Sequence, residues 1–313
     1  MSVPPAFTPA QKRRFAGLRK QLIAACQVLD VESGKIIARD LKGLLLPTGH
    51  QIKYYEMLMH LCEALINKEE FATATGFLDV IVTNTNKSTK LYQEANVLLG
   101  ICKIHNVNLD EAEICINRAF SSKAIKNTEA REIFLKNVTE RLEEEALLTA
   151  FTSKKNNISS DQILEEVQYN CINNTSELDL IEKTGRAVPN SAIDFMTNVN
   201  RMAKRQLDYQ ERLMLPPPPG SKEYIKIGKR VLGILSRKVG PYICAPNCKF
   251  QRTVKTFEKP ECIVSFVVAE LSSQGIGATC LVCLSTIIVR SGLKAFCSKW
   301  NLSGIMRNRY KKL

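Results

Sequence analysis

A chain of 313 residues, 45% hydrophobic and 24% charged, has the apolar content for a sizeable core and is neither collagen-like nor low-complexity. Its net charge of +13 is unevenly placed: residues 1–150 hold 19 Lys+Arg and 18 Asp+Glu, residues 151–200 hold 4 and 7, and residues 201–313 hold 21 and 6. The basic last third points to nucleic acid, an anionic surface or an acidic protein, while one Trp and eight Tyr argue against an aromatic-rich binding sheet.

Thr8 opens the first predicted helix, which carries Phe15, Leu18, Leu22, Ile23, Cys26 and Leu29 at helical spacing. A shorter helix is predicted from about Gly34 to Leu46, with Leu41, Leu44 and Leu45 as its apolar stripe and Pro47 and Gly49 as its stop. This pair reads as a cap over the open end of a helical array that begins near His50.

From His50 to Phe120 the chain repeats itself. Leu58, Leu61, Cys62, Leu65, Ala74, Leu78 and Ile81 align with Asn96, Leu99, Gly100, Lys103, Ala112, Ile116 and Ala119 at a constant offset of 38 residues. Each half predicts helix, polar break and helix, the breaks being Asn67-Lys68-Glu69 and Asn106-Val107-Asn108. Asn108 suits a helix cap, and Asp110 and Glu111 favour the positive end of the helix after it. Ala74 and Ala112 fall where two backbones approach closely, since axes about 8–10 Å apart leave little room for a branched side chain.

The second unit resembles the tetratricopeptide repeat at Leu99-Gly100, Ala112, Ile116 and Ala119, and the first at Leu61, Ala74 and Leu78. The resemblance covers about a quarter of the chain. Cys62 replaces the glycine of the first unit, and Leu58, Leu65, Asn96 and Lys103 stand where aromatics are usual. Asn86 and Ala124 replace the closing prolines, and the period exceeds the typical ~34. The resemblance implies a mainly α fold, a stack of helical hairpins whose concave face takes a segment of another protein. First-helix residues would line that face, with Tyr54, Glu56, Lys90, Glu94 and Lys103 as the candidates.

A seventh helix is predicted from about Thr128 to Phe151, with Glu143-Glu144-Glu145 as a solvated face. Residues 152–160 break the pattern, so the helical repeat domain is expected to span 1–151. A helical extension is expected over 159–215. Ser159 and Gln162 have capping-box spacing, Asn173-Asn174 ends that helix, and Ser176 starts another that stops at Gly185. A longer helix is expected from Pro189-Asn190-Ser191 through Leu213, ended by the proline spacer at 216–220.

Residues 221–313 form the basic C-terminal region. Ser221 to Val239 reads as an amphipathic helix, with Lys222, Lys226, Lys229, Arg230 and Arg237 as candidates for contact with phosphates or an acidic partner. Gly228 and Gly233 weigh against helix there. Beyond Gly240, Ile263 to Val268 and Leu281 to Val289 are β-prone, so a small mixed α/β end is expected, with a short closing helix near Phe296 and Trp300.

Cys244 and Cys248 with Cys280 and Cys283 have the number and spacing for an all-cysteine zinc site, weighed against buried thiols packing as small hydrophobes. The thiols of all 11 cysteines are expected free, because no signal sequence precedes Lys12-Arg13-Arg14 and a cytoplasmic or nuclear location is expected. Leu271 to Val289 holds 19 uncharged residues, but its polar first half favours a buried element over a membrane span. His50, His60 and His105 all lie in or beside repeat helices, and no phosphate loop or nucleophile motif accompanies them. The expected function is therefore a non-enzymatic interaction scaffold or adaptor without a cofactor; the alternative is a nucleic-acid-associated protein that binds phosphates through residues 201–313.

Overall fold

The computed structural model describes residues 4–122, 124–152, 159–207, 223–244, 259–272 and 276–299, with the side chains of 152, 237–242, 293, 294 and 299 left aside. Among the described residues it is 81% helical, with fourteen helices and no strand. These are α1 Pro9–Gln27, α2 Val31–Leu45, α3 Gln51–Asn67, α4 Phe71–Asn84, α5 Lys90–His105, α6 Leu109–Phe120 and α7 Thr128–Thr152. Next in the chain are α8 Ser160–Ile172, α9 Glu177–Arg186, α10 Asn190–Arg205, α11 Tyr224–Ile243, α12 Pro260–Ser272, α13 Ala278–Ser291 and α14 Leu293–Lys299. Two compact units form: Met1–Val138 with Met202–Met214, and Thr139–Arg201 with Leu215–Leu313.

Capping chemistry starts many of these helices. The Thr8 hydroxyl accepts from the Gln11 amide while the Gln11 side chain accepts from Thr8, and Ser159 and Gln162 make the same reciprocal pair before α8. Asp30, Thr89, Asn108 and Ser176 each accept a first-turn amide of α2, α5, α6 and α9.

In the first unit, α1, α3 and α5 end in one way. Leu29, Glu69 and Val107 adopt positive φ of 57°, 62° and 58°. The amide of the next residue then bonds back to the sixth carbonyl: Asp30 to Ala25, Glu70 to Leu65 and Asn108 to Lys103, at 2.9, 2.9 and 3.0 Å. This Schellman closure satisfies carbonyls that a helix end leaves open and turns the chain back at once. None of the three residues is a glycine, so the turns were not visible as glycine signals.

Helix α1 packs on α2 and α3, α3 on α4 and α5, and α5 on α4 and α6. Small residues set the approach. A Cβ on Gly34 would lie 2.8 Å from Leu61 Cδ1, and one on Gly100 would lie 3.0 Å from Ile116 Cγ1 and 3.6 Å from the Ala112 carbonyl oxygen. Ala74 and Ala112 are fully buried, as are Leu78, Ile81, Ile116 and Ala119.

The second unit is built around one helix. Residues 280–288 of α13 are buried without interruption, and α8, α9, α11, α12 and α14 all pack on it. This corrects the expectation of strands at Ile263–Val268 and Leu281–Val289, which lie in α12 and α13. A continuous apolar run looks alike in a central strand and in a helix covered on every side, and here the surrounding helices decide. The same arrangement separates α12 from α13, and no helix among the described residues is long and apolar enough to cross a membrane.

Gly228 also has its explanation here. A Cβ on Gly228 would fall 1.9 Å from the Ile181 carbonyl oxygen, and one on Gly185 would fall 1.9 Å from the Tyr224 carbonyl oxygen. Helices α9 and α11 thus touch backbone to backbone, which is possible only without side chains at the crossing. The glycine that lowers helix propensity is the residue that lets α11 dock. Arg186 lies over the Tyr224 ring beside this contact, 4.7 Å from its centre.

Candidate functional site

Helical spacing builds a cleft in the second unit. Glu140, Glu143, Glu144 and Leu147 recur at three- and four-residue steps on α7, and Lys229, Arg230, Gly233 and Ile234 do so on α11. Together they line a cavity of about 370 Å³. The Glu143 side chain is only 6% exposed and forms an ion pair with Arg230, which is 38% exposed. Burial pushes the Glu143 carboxyl above its usual range, and the guanidinium opposes the shift. The expectation that Glu143-Glu144-Glu145 is a solvated face is corrected for two of the three: Glu143 and Glu145 are both buried. A run of acids gives no sign of this, because from Leu142 to Thr149 the helix is buried around nearly its whole circumference, Glu144 alone being exposed, where an amphipathic pattern would leave one side outside.

Three carboxylates and two cations meet in this cleft, so its positive charge is compensated. The rest of the α11 basic stripe is compensated in part. Lys226 pairs with Glu223 at 2.6 Å, and Lys229 is exposed at the cleft. Lys222 and the Arg237 side chain lie outside the described residues. The pattern of charge along α11 was legible, but its partners on α7, some 87 residues earlier, were not.

The first-unit candidates divide. Tyr54 is buried beside Tyr55, ring centres 5.8 Å apart, and so cannot line an open face as it stands; burial raises its phenol pKa. Lys90 and Glu94 pair with each other at 3.2 Å. Lys103 reaches across to Glu111 on α6, and this contact raises the lysine pKa and lowers the glutamate's. Glu56 is exposed. The structure therefore does not gather the five into one site.

Two of the histidines are engaged with rings. His50 stacks on Phe7 at 3.9 Å, with its Nδ1 3.1 Å from the Thr48 hydroxyl, and His105 stacks on Phe71 at 4.1 Å. The four zinc candidates also part company. Cys244, at the end of α11, forms a disulfide with Cys297 of α14, with Cα atoms 5.6 Å apart. Cys280 and Cys283 are buried on α13, and burial raises both thiols, against the thiolate form that zinc requires. Cys248 lies outside the described residues. The disulfide also corrects the expectation that every cysteine is free; sequence separation of 53 residues gives no hint of it. Among the described residues no group of three or more His, Cys, Asp or Glu is placed to hold a metal ion.

No family model, curated protein or solved structure matches the chain.

Proposed function

We propose that the first unit is a tetratricopeptide-like stack of helical hairpins that holds a segment of another protein, and that the chain works as a scaffold or adaptor rather than as an enzyme. The observation that carries this reading is the repeated closure at Leu29, Glu69 and Val107, together with the packing of α1 on α3 and α3 on α5. Glu69 and Val107 are 38 residues apart, the offset found in the sequence. A row of hairpins closed in this way is ordered before any ligand arrives, so binding need not order the receptor. Glu56 and Lys90, both exposed, are the charged first-helix residues best placed to meet a partner.

The basic last third serves as a second contact. Ion pairs of Arg230 with Glu143 and of Lys226 with Glu223 leave α11 less suited to phosphate than its sequence implies. The test uses the full chain as bait, beside a Glu56→Lys/Lys90→Glu variant, after nuclease treatment. Proteins held by the native chain and lost from the variant are expected. Partners that vanish with nuclease alone, or that ignore the variant, would overturn the reading. Titration with labelled DNA and RNA at two salt concentrations checks the rival, whose affinity would fall steeply as salt rises.

A further inference from the structure

Exposed apolar side chains are distributed differently in the two units. In the first, residues such as Val28, Ile52, Val80, Ile114 and Ile133 are exposed one to a helix or turn, as Ile225 is on α11 of the second and as isolated residues on any soluble surface are. In the second, Tyr169, Ile172 and Leu178 are 68%, 82% and 56% exposed within ten residues of chain. Tyr169 and Ile172 continue the outward line begun by Glu165 on α8, opposite buried Ile163, Val167 and Asn170. Leu178 lies in the first turn of α9, across the link at 173–176. That link is closed by the same back-turned amide as the first-unit hairpins: Asn174 has φ 52°, and the Thr175 amide bonds to the Asn170 carbonyl at 3.1 Å. The Thr175 carbonyl accepts from Arg290 of α13, which fixes the corner to the central helix.

Charge says what this corner accepts. Asp161, Glu165, Glu166, Glu177, Asp179 and Glu182 outnumber the cations at this corner, which are Lys183, Arg186 (paired with Glu182) and Arg290 at the link, so six acids against three cations leave a local charge of −3 in a chain of +13. A nucleic acid or anionic membrane is repelled there, and an uncharged apolar partner leaves the excess of negative charge unanswered.

We propose that the α8–α9 corner docks a basic amphipathic helix of another polypeptide. Its apolar side would cover Tyr169, Ile172 and Leu178, and its lysines or arginines would face the carboxylates around them. An aromatic ring flanked by aliphatic side chains is the kind of anchor from which such interfaces draw most of their affinity.

The probe is a synthetic leucine–lysine peptide with helical amphipathic spacing, titrated by fluorescence anisotropy into the full chain. A shuffled peptide of the same composition, without an apolar face, is the comparison. Tyr169→Ser/Ile172→Ser is expected to weaken the amphipathic peptide by about tenfold or more. Glu165→Lys/Glu166→Lys is expected to weaken it comparably, with the loss growing smaller as salt screens the contact. Circular dichroism and melting of both variants should match the native chain, because the altered side chains are exposed. The proposal is overturned if both variants bind like the native chain, or if the shuffled peptide binds as well. It is likewise overturned if sedimentation shows that the corner is covered by a second copy, as a dimer that Ile172→Ser dissociates.

Discussion

The first unit is assembled from neighbours and the second around a centre. Helices α1 to α6 pack mainly on the helix before, the helix after and the next but one. In the second unit α13 is covered by α8 and α9, about a hundred residues earlier, and by α11, α12 and α14. Local assembly spreads stability over many similar contacts, whereas central assembly makes it depend on a few. Substitutions at the few should therefore cost more than substitutions at the many.

The largest effect is expected at the crossing of α9 and α11. Gly228→Leu puts a side chain where the Ile181 carbonyl already sits, so the two helices must separate, at a cost of about 3 kcal/mol or more. Chemical denaturation followed by circular dichroism should show the second unit melting early; a Gly228→Leu chain as stable as the native one would mean that this crossing does not hold the unit together. Next comes Ala112→Leu, which overfills the fully buried approach of α5 and α6 and should cost about 2 kcal/mol. Because neighbouring hairpins do not share that contact, its effect should stay in the first unit, as judged by proteolysis at partial denaturation.

Arg230→Met should have a somewhat smaller effect. It strands the buried Glu143 carboxylate at a cost of about 1.5 kcal/mol, less than a fully buried pair would lose, since the arginine is 38% exposed. The raised carboxyl sets the sign with pH. The folded chain holds this proton more tightly than the unfolded chain, so stability falls as pH rises through the shifted titration. Removing Arg230 deepens that fall, and the variant should therefore be most destabilised in alkaline buffer and partly recover as pH drops toward 5. A loss that is flat between those conditions would contradict the buried charge.

The smallest effect should be a gain. Val107 is β-branched at φ 58°, a conformation that disfavours side chains, and it is exposed. Val107→Gly relieves that strain and loses some of the benefit to unfolded-chain entropy, for a net stabilisation of about 0.5–1 kcal/mol in thermal melts. A loss of stability there would mean that the valine contributes packing that its exposure hides.

The same contrast explains what could be read from the residues alone. Caps at Thr8, Asn108, Ser159 and Ser176 rest on side chains bonding within one turn, so short-range pattern reveals them. The helical hairpins between His50 and Phe120 likewise arise from local period. What escaped is set by distant partners. The β-branched residues of α12 and α13 favour strands until five helices cover the central one, and Gly228 looks like a helix breaker until α9 arrives. Glu143 looks solvated until Arg230 does. At the candidate sites the charges on α5 and α11 were visible, while the pairing of Lys103 with Glu111 and of Arg230 with Glu143 was not.

Amide hydrogen exchange, read by mass spectrometry on the whole chain, tests the contrast between the two units most directly. Peptides from 278–291 are expected to exchange last in the second unit and to lose protection together with α8, α9 and α11, while in the first unit protection declines gradually from α3 and α5 toward the outer helix α1. Rapid exchange across 278–291, or one cooperative opening of all the hairpins, would contradict that division between a centred unit and a serial one.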